Sequence, residues 1–301
     1  MKTLVALSLT LFSHAVFAAS CCGGGSSFPG LITTDSKGQI SLSSTYLNEV
    51  GKAKLRDEYV YYNEDKKRKS LQSLLSSSYM TSEFTQLSLN LSYVQREYEQ
   101  GEYSEKSHQL GDSELSFAYE FFPEKEYSWW KPRGFVFLSL TLPTGKTNYQ
   151  SSELLYSDVS GKAQWALAVG GAFTKVNGPF DFQGSFKAAH RFKESFSNVT
   201  VEGSQFFSTL LSAGFSPSKS SFRFGASHIY FFETKRKVNN GQKVSQTLNE
   251  YYHELALSSH YMLNDELSAG IIYADQTLIG PVQNTSLSRK LTVQILKRWS
   301  L

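Results

Sequence analysis

Cysteine is nearly absent: the 301 residues hold two, Cys21 and Cys22, side by side near the N-terminus. Adjacent cysteines are poorly placed to bond to each other. No disulfide framework and no cysteine-built zinc site is therefore expected. Proline and methionine are also scarce, at seven and three, while aromatic residues reach 14%. That balance suits strands better than helices. Long apolar runs are missing beyond the first seventeen residues. With a mean hydropathy of −0.31, this excludes a helical membrane protein, whose spans need about 20 apolar residues each. Charge of one sign is lacking too. The net charge is +3, which gives no footprint for nucleic acid. The one basic run, Lys66-Lys67-Arg68-Lys69, follows Glu64 and Asp65 and reads as a solvated loop.

What is present begins with an export signal over residues 1–18. Lys2 is followed by an apolar stretch from Leu4 to Phe17, and Val16-Phe17-Ala18 fits a small-residue cleavage site. Residues 19–38 form a Cys/Gly-rich leader, and we expect it to plug the periplasmic mouth of the domain that follows. Lipid on Cys21 would call for a Leu-like residue three positions earlier, where Ala18 stands.

Residues 39–301 alternate with period two. Leu87, Leu89 and Leu91 interleave with Ser88 and Asn90. Leu115, Phe117, Tyr119 and Phe121 interleave with Glu114, Ser116, Ala118 and Glu120. The pattern predicts an all-β fold of about twelve strands, starting near residues 39, 70, 85, 112, 134, 162, 178, 204, 220, 247, 266 and 289. The connections alternate short and long. Thr81-Ser82-Glu83 and Asn264-Asp265 are short; 51–68, 95–111, 144–161, 193–203, 233–245 and 276–288 are long and polar. An antiparallel up-and-down transmembrane barrel has this rhythm, with short periplasmic turns and long external loops. Aromatics then gather at both rims: Phe121, Phe173, Phe180, Phe215, Phe222, Tyr261 and Trp299 at one, Tyr46, Tyr93, Trp165, Phe192, Phe207, Tyr230 and Tyr251 at the other. A soluble sandwich shares the alternation but needs neither the export signal nor the two belts.

On the inner face, small residues such as Ala168, Gly170, Ser185, Gly225 and Gly270 should leave space. Charges lie toward the ends. Glu120, Asp181, Arg223 and Arg298 fall near the periplasmic rim, and Glu114, Lys187, Arg191 and Glu254 near the outer one. His260 also points inward. Most of these read as ion pairs bracing the wall, with Lys187 and Arg191 as candidates for selecting solute. A catalytic reading is weak. Glu254 and His260 are six residues apart, roughly 20 Å along a strand, and His253 and His260 share a strand but not a face. Thr144-Gly145-Lys146-Thr147 ends like a phosphate loop, but Leu140 stands where the earlier glycine belongs and no helix follows. No enzyme, cofactor or metal is expected.

Two stretches carry a family resemblance. Phe137 to Lys146 runs a strand into Pro143-Thr144-Gly145-Lys146, and Gly111-Asp112 opens another strand. Both resemble the outer-membrane proteins grouped with the meta-pathway of phenol degradation. The resemblance implies import of small aromatic or hydrophobic compounds. The last strand, ending in Trp299 and Leu301, resembles the signal read by the barrel-assembly machinery, but it ends in Leu rather than Phe, and Lys297 interrupts its apolar face. The expected partners are outer-membrane lipids, that machinery and a small-molecule solute. The alternatives are a non-conducting barrel working through its loops, such as the charged 51–68 segment, and a barrel hydrolase.

Overall fold

The computed structural model describes residues 28–300 except 35, 56, 57, 125, 127 and 219. The export signal, the two cysteines and Leu301 lie outside the described residues. Twelve long strands follow one another: β1 Gly38–Ala53, β2 Lys66–Met80, β3 Thr85–Gln100, β4 Ser113–Phe122, β5 Arg133–Leu142, β6 Ala166–Asn177, β7 Phe180–Arg191, β8 Ser204–Phe215, β9 Phe222–Glu233, β10 Glu250–Met262, β11 Leu267–Asp275 and β12 Thr285–Trp299. Each begins within four residues of its predicted start. Each pairs antiparallel with its sequence neighbours, and β12 pairs with β1 from Gly38↔Trp299 to Ala53↔Thr285. The twelve long strands close into a barrel.

Closure follows from what the strands present outward. Leu42, Leu89, Phe117, Leu138, Leu211, Leu257 and Ile271 are all exposed, as is at least one large apolar residue on every strand. So wide an apolar surface has no place on a monomer in water. In hydrocarbon it is matched, and there every N–H and C=O must be paired within the wall. Inward neighbours such as Ser88, Ser116, Ser139, Ser185 and Thr292 are buried and polar.

The end holding Gly38 and Trp299, here proximal, has short turns except at residues 123–132, between β4 and β5. The tightest joins β6 to β7, where Gly178 at φ 57° takes a position closed to most side chains, and Asn177 pairs directly with Phe180. Aromatic contacts rim this end: Phe180 meets Phe215 at 5.2 Å and Phe222 meets Tyr261 at 4.9 Å between ring centroids. Trp299 belongs to the same rim. Its ring lies where a Cβ on Gly38 would stand, across the β1–β12 seam.

The distal end is more ordered than its polar sequence suggests. The stretch 95–111, expected as a loop, is a hairpin. Tyr103–Leu110 pairs with Tyr93–Gln100 and extends the wall beyond β4. Segments from two other long connections build a separate small sheet: Glu194–Phe196, Val199–Val201, Lys237–Asn239 and Val244–Gln246. Phe196, Val201 and Val238 pack there with Ala163 and Tyr149.

Candidate functional site

All nine inward residues singled out from the sequence are buried on the lumen side: Glu114, Glu120, Asp181, Lys187, Arg191, Arg223, Glu254, His260 and Arg298. Removing a charge from water is costly unless a partner takes its place, and ion pairs are what the wall holds. Toward the proximal end, Arg133 grips Glu120 with two bonds of 2.7 and 2.9 Å, and Arg223 does the same to Asp181 on β7, with Nε at 2.8 Å. Toward the distal end, Lys187 on β7 reaches Glu114 on β4 across two intervening strands. Arg191 and Arg236 share Glu233, at 3.4 and 3.8 Å. Ser204 Oγ donates to Glu233 at 2.5 Å, and Lys290 meets Glu254 at 2.6 Å.

Two of these pairs, Asp181–Arg223 and Glu114–Lys187, join residues that alternation alone had placed inward. Glu233, Lys290, Arg133 and Arg236 were missed. Lys290 could have been found, since it shares the inward face of Ser288 and Thr292. The other three sit at strand ends or in loops, where the period gives out.

The small lumen residues do not leave open space in the way expected. A Cβ on Gly170 would overlap the ring of Phe137, one on Gly270 the imidazole of His260, and one on Gly214 both Arg223 and Asp181. Each glycine is a bed for a large side chain from the next strand. The sequence could show where side chains are small, but not which neighbour leans over them.

Midway toward the proximal end the lumen turns apolar. Ala118, Phe135, Phe137, Ala172, Leu210 and Ile229, on β4, β5, β6, β8 and β9, form a half-collar, and Phe28 and Leu31 pack against it. Hydrogen bonds hold the same segment to the wall. Ser78 and Ser88 donate to the Gly30 carbonyl at 2.6 and 3.0 Å, Ile32 N–H donates to Gln86 Oε1 at 2.7 Å, and Arg133 donates to the Thr33 carbonyl at 2.6 Å. Residues 28–34 thus lie inside the barrel.

Beyond the collar is a distal cavity of about 850 Å³. Lys187, Arg191, Glu114, Asn90 and Ser208 line it, and Phe206, Phe231 and Tyr252 give it an aromatic side. Part of its lining, Thr147–Tyr149 and Val159–Lys162, comes from the β5–β6 connection, which folds back over the mouth. Asp112 holds that fold in place. Its carboxylate accepts from the backbone N–H groups of Gly145 at 3.0 Å, Lys162 at 2.7 Å and Ala163 at 3.3 Å. Thr144 Oγ1 donates to the Gly111 carbonyl at 2.6 Å and accepts from Ser113 N–H at 3.0 Å. Gly145 and Gly161 are needed because the Asp112 carboxyl occupies the space of a side chain at either. The two stretches that carry the family resemblance are therefore one bracket. Further along the same connection, Asp158 is fixed by Lys146, Ser151 and Ser152 N–H. Burial pushes its carboxyl up, but those bonds outweigh burial and hold it at about 2, below the ordinary 3.8.

The architecture has solved counterparts. An outer-membrane channel from Pseudomonas putida F1 superposes with a TM-score of 0.68 at 11% identity, over 91% of this chain and 99% of that one. The barrel is an outer-membrane fold. The transport unit of the autotransporter AIDA-I from Escherichia coli is also similar, with a TM-score of 0.51, 11% identity, and 91% and 93% of the two chains covered. At such identities the likeness is one of fold alone. No family model matches the chain, and no curated protein matches it.

Proposed function

We propose that the chain is an outer-membrane channel for passive uptake of small hydrophobic or aromatic molecules, as the resemblance to the phenol meta-pathway group implies. Residues 1–18 serve as the export signal, and the leader to residue 38 enters the barrel from the periplasmic, proximal end. The barrel-assembly machinery inserts the chain through its last strand, and outer-membrane lipids cover the apolar band. The observation that carries the reading is the inner collar of Phe135, Phe137, Leu210 and Ile229. A barrel wall that merely has to stand could brace itself with ion pairs throughout. An apolar half-ring in a polar lumen favours passage of apolar solute, and Phe28 and Leu31 cover it like a removable stopper.

The test is conductance in planar bilayers. The mature chain should give small, intermittent openings. The same chain shortened to begin at Asp35 should give steady, larger ones. A barrel that stays sealed after shortening favours the second reading, a closed barrel working through its loops, for which the crossing Glu114–Lys187 brace speaks.

A further inference from the structure

Three inward rings on neighbouring strands line the distal cavity: Phe206 on β8, Phe231 on β9 and Tyr252 on β10. Phe206 and Phe231 stand 6.0 Å apart at 31°, and Phe231 and Tyr252 stand 5.1 Å apart at 21°. The Arg191 guanidinium caps the row at 5.0 Å over Phe206. Rings stacked in this way around the wall cover one another's faces and present their edges to the lumen. Aromatic edges are electropositive, so they receive the face of another ring, or an anion.

The charges around the row point the same way. Every carboxylate lining the cavity has a partner on at least one oxygen, although Glu49 Oε2, which faces Arg68 at 3.9 Å, and Glu233 Oε2 lack a hydrogen bond. Glu114 holds Lys187, Glu233 holds Arg191 and Arg236, Glu250 faces Lys162 at 3.5 Å, Asp112 holds three backbone amides, and Glu49 accepts from the Tyr98 hydroxyl at 3.3 Å. Arg96 also lines the cavity. It has no carboxylate partner among the described residues, and its buried Nε lacks a hydrogen-bond partner. Ser208 is 1% exposed and lines the same space, and its unpartnered Oγ can donate to a ligand oxygen. A buried polar atom without a partner costs stability, and its persistence in a roomy cavity marks a place for a ligand atom.

We propose that the distal cavity binds a small planar carboxylate, an aromatic acid, with its ring against the edges of Phe206, Phe231 and Tyr252 and its carboxylate toward Arg96. This names a cargo class within the uptake reading above and rests on it. The test is equilibrium binding to the full mature chain in detergent, which requires no passage across a membrane. The probes are benzoate, benzyl alcohol, benzylamine and acetate. Benzoate should bind at least tenfold tighter than each of the others. Arg96→Gln should bring benzoate down to the level of benzyl alcohol and leave benzyl alcohol unchanged, and Arg96→Lys should restore part of the difference. Phe231→Leu should weaken benzoate and benzyl alcohol together. Heat-modifiable gel migration checks that each variant is a folded barrel. Equal binding of benzoate and acetate overturns the aromatic half of the proposal, and equal binding of benzoate and benzyl alcohol overturns the anionic half. No binding of benzoate overturns it entirely. Benzoate bound by a chain that never conducts would sink the uptake reading and leave this site standing.

Discussion

Asp112 shows how much one short side chain can organise. Its two oxygens take three backbone amides from a connection that begins thirty residues later. Asp112→Ala strands those donors, at about 1–3 kcal/mol for each that stays buried. Hydrogen exchange across 143–164 should quicken at least tenfold, while the strand amides stay protected. Asp158 makes the same connection sensitive to acid. Its folded value lies below the unfolded one, so its contribution is whole above 3.8 and is lost as pH falls toward about 2. Protease nicking of 146–160 should be flat from pH 8 to 5 and should rise only below pH 4. A rise near pH 6 would mean that another group holds the strap. Glycines act by the room they leave. Gly214→Val places a side chain where Arg223 and Asp181 meet, so it should lower the unfolding midpoint in denaturant, whereas Gly241→Val, in an open turn, costs only its φ of 81°.

Strands and segments divide into those the alternation could read and those it could not. β4 and β7 were legible to within two residues, because polar and apolar side chains mostly take turns in them. β5 was not. Phe135 and Val136, Phe137 and Leu138 are apolar on both faces, so period two places the strand without saying which side faces in. The collar was hidden for that reason. The 95–111 hairpin was hidden for the opposite one: above the membrane both faces are wet, and alternation weakens although pairing continues. The lumen segment 28–34 has no period at all. Its place rests on Phe28 and Leu31 fitting a collar that only tertiary structure assembles. Cutting either to Ala removes about 2–5 kcal/mol of packing, more than the handful of hydrogen bonds at Gly30, Ile32 and Thr33 can readily make up. Phe28→Ala with Leu31→Ala should therefore raise the open fraction in bilayers while the chain still shows the heat-modifiable migration of a folded barrel. If conductance is unchanged, the segment does not stop the pore.

The barrel closes through β1 and β12, the two strands farthest apart in sequence, so its last ladder forms only when the whole chain is in register. That seam is bonded along its length, with Thr45 and Thr292 hydroxyls 2.8 Å apart inside it. Braces across the lumen add stiffness that ladders cannot, because ladders join only neighbours. Glu114 and Lys187 tie β4 to β7, with β5 and β6 between. Both are nearly sealed from solvent, so removing one charge leaves the other buried alone, at about 3–5 kcal/mol. Replacing both with apolar residues of like size removes the attraction and the desolvation cost together. A double-mutant cycle separates bracing from selection. Lys187→Met and Glu114→Leu alone should each lower the temperature at which the barrel loses its heat-modifiable migration, and the pair should recover most of that loss. If the brace also sets which ions pass, the stable double variant should show a shifted reversal potential in a salt gradient. If it only braces, the double variant should conduct as the native chain does, and the selecting charge must then be sought in Arg191 or Arg96.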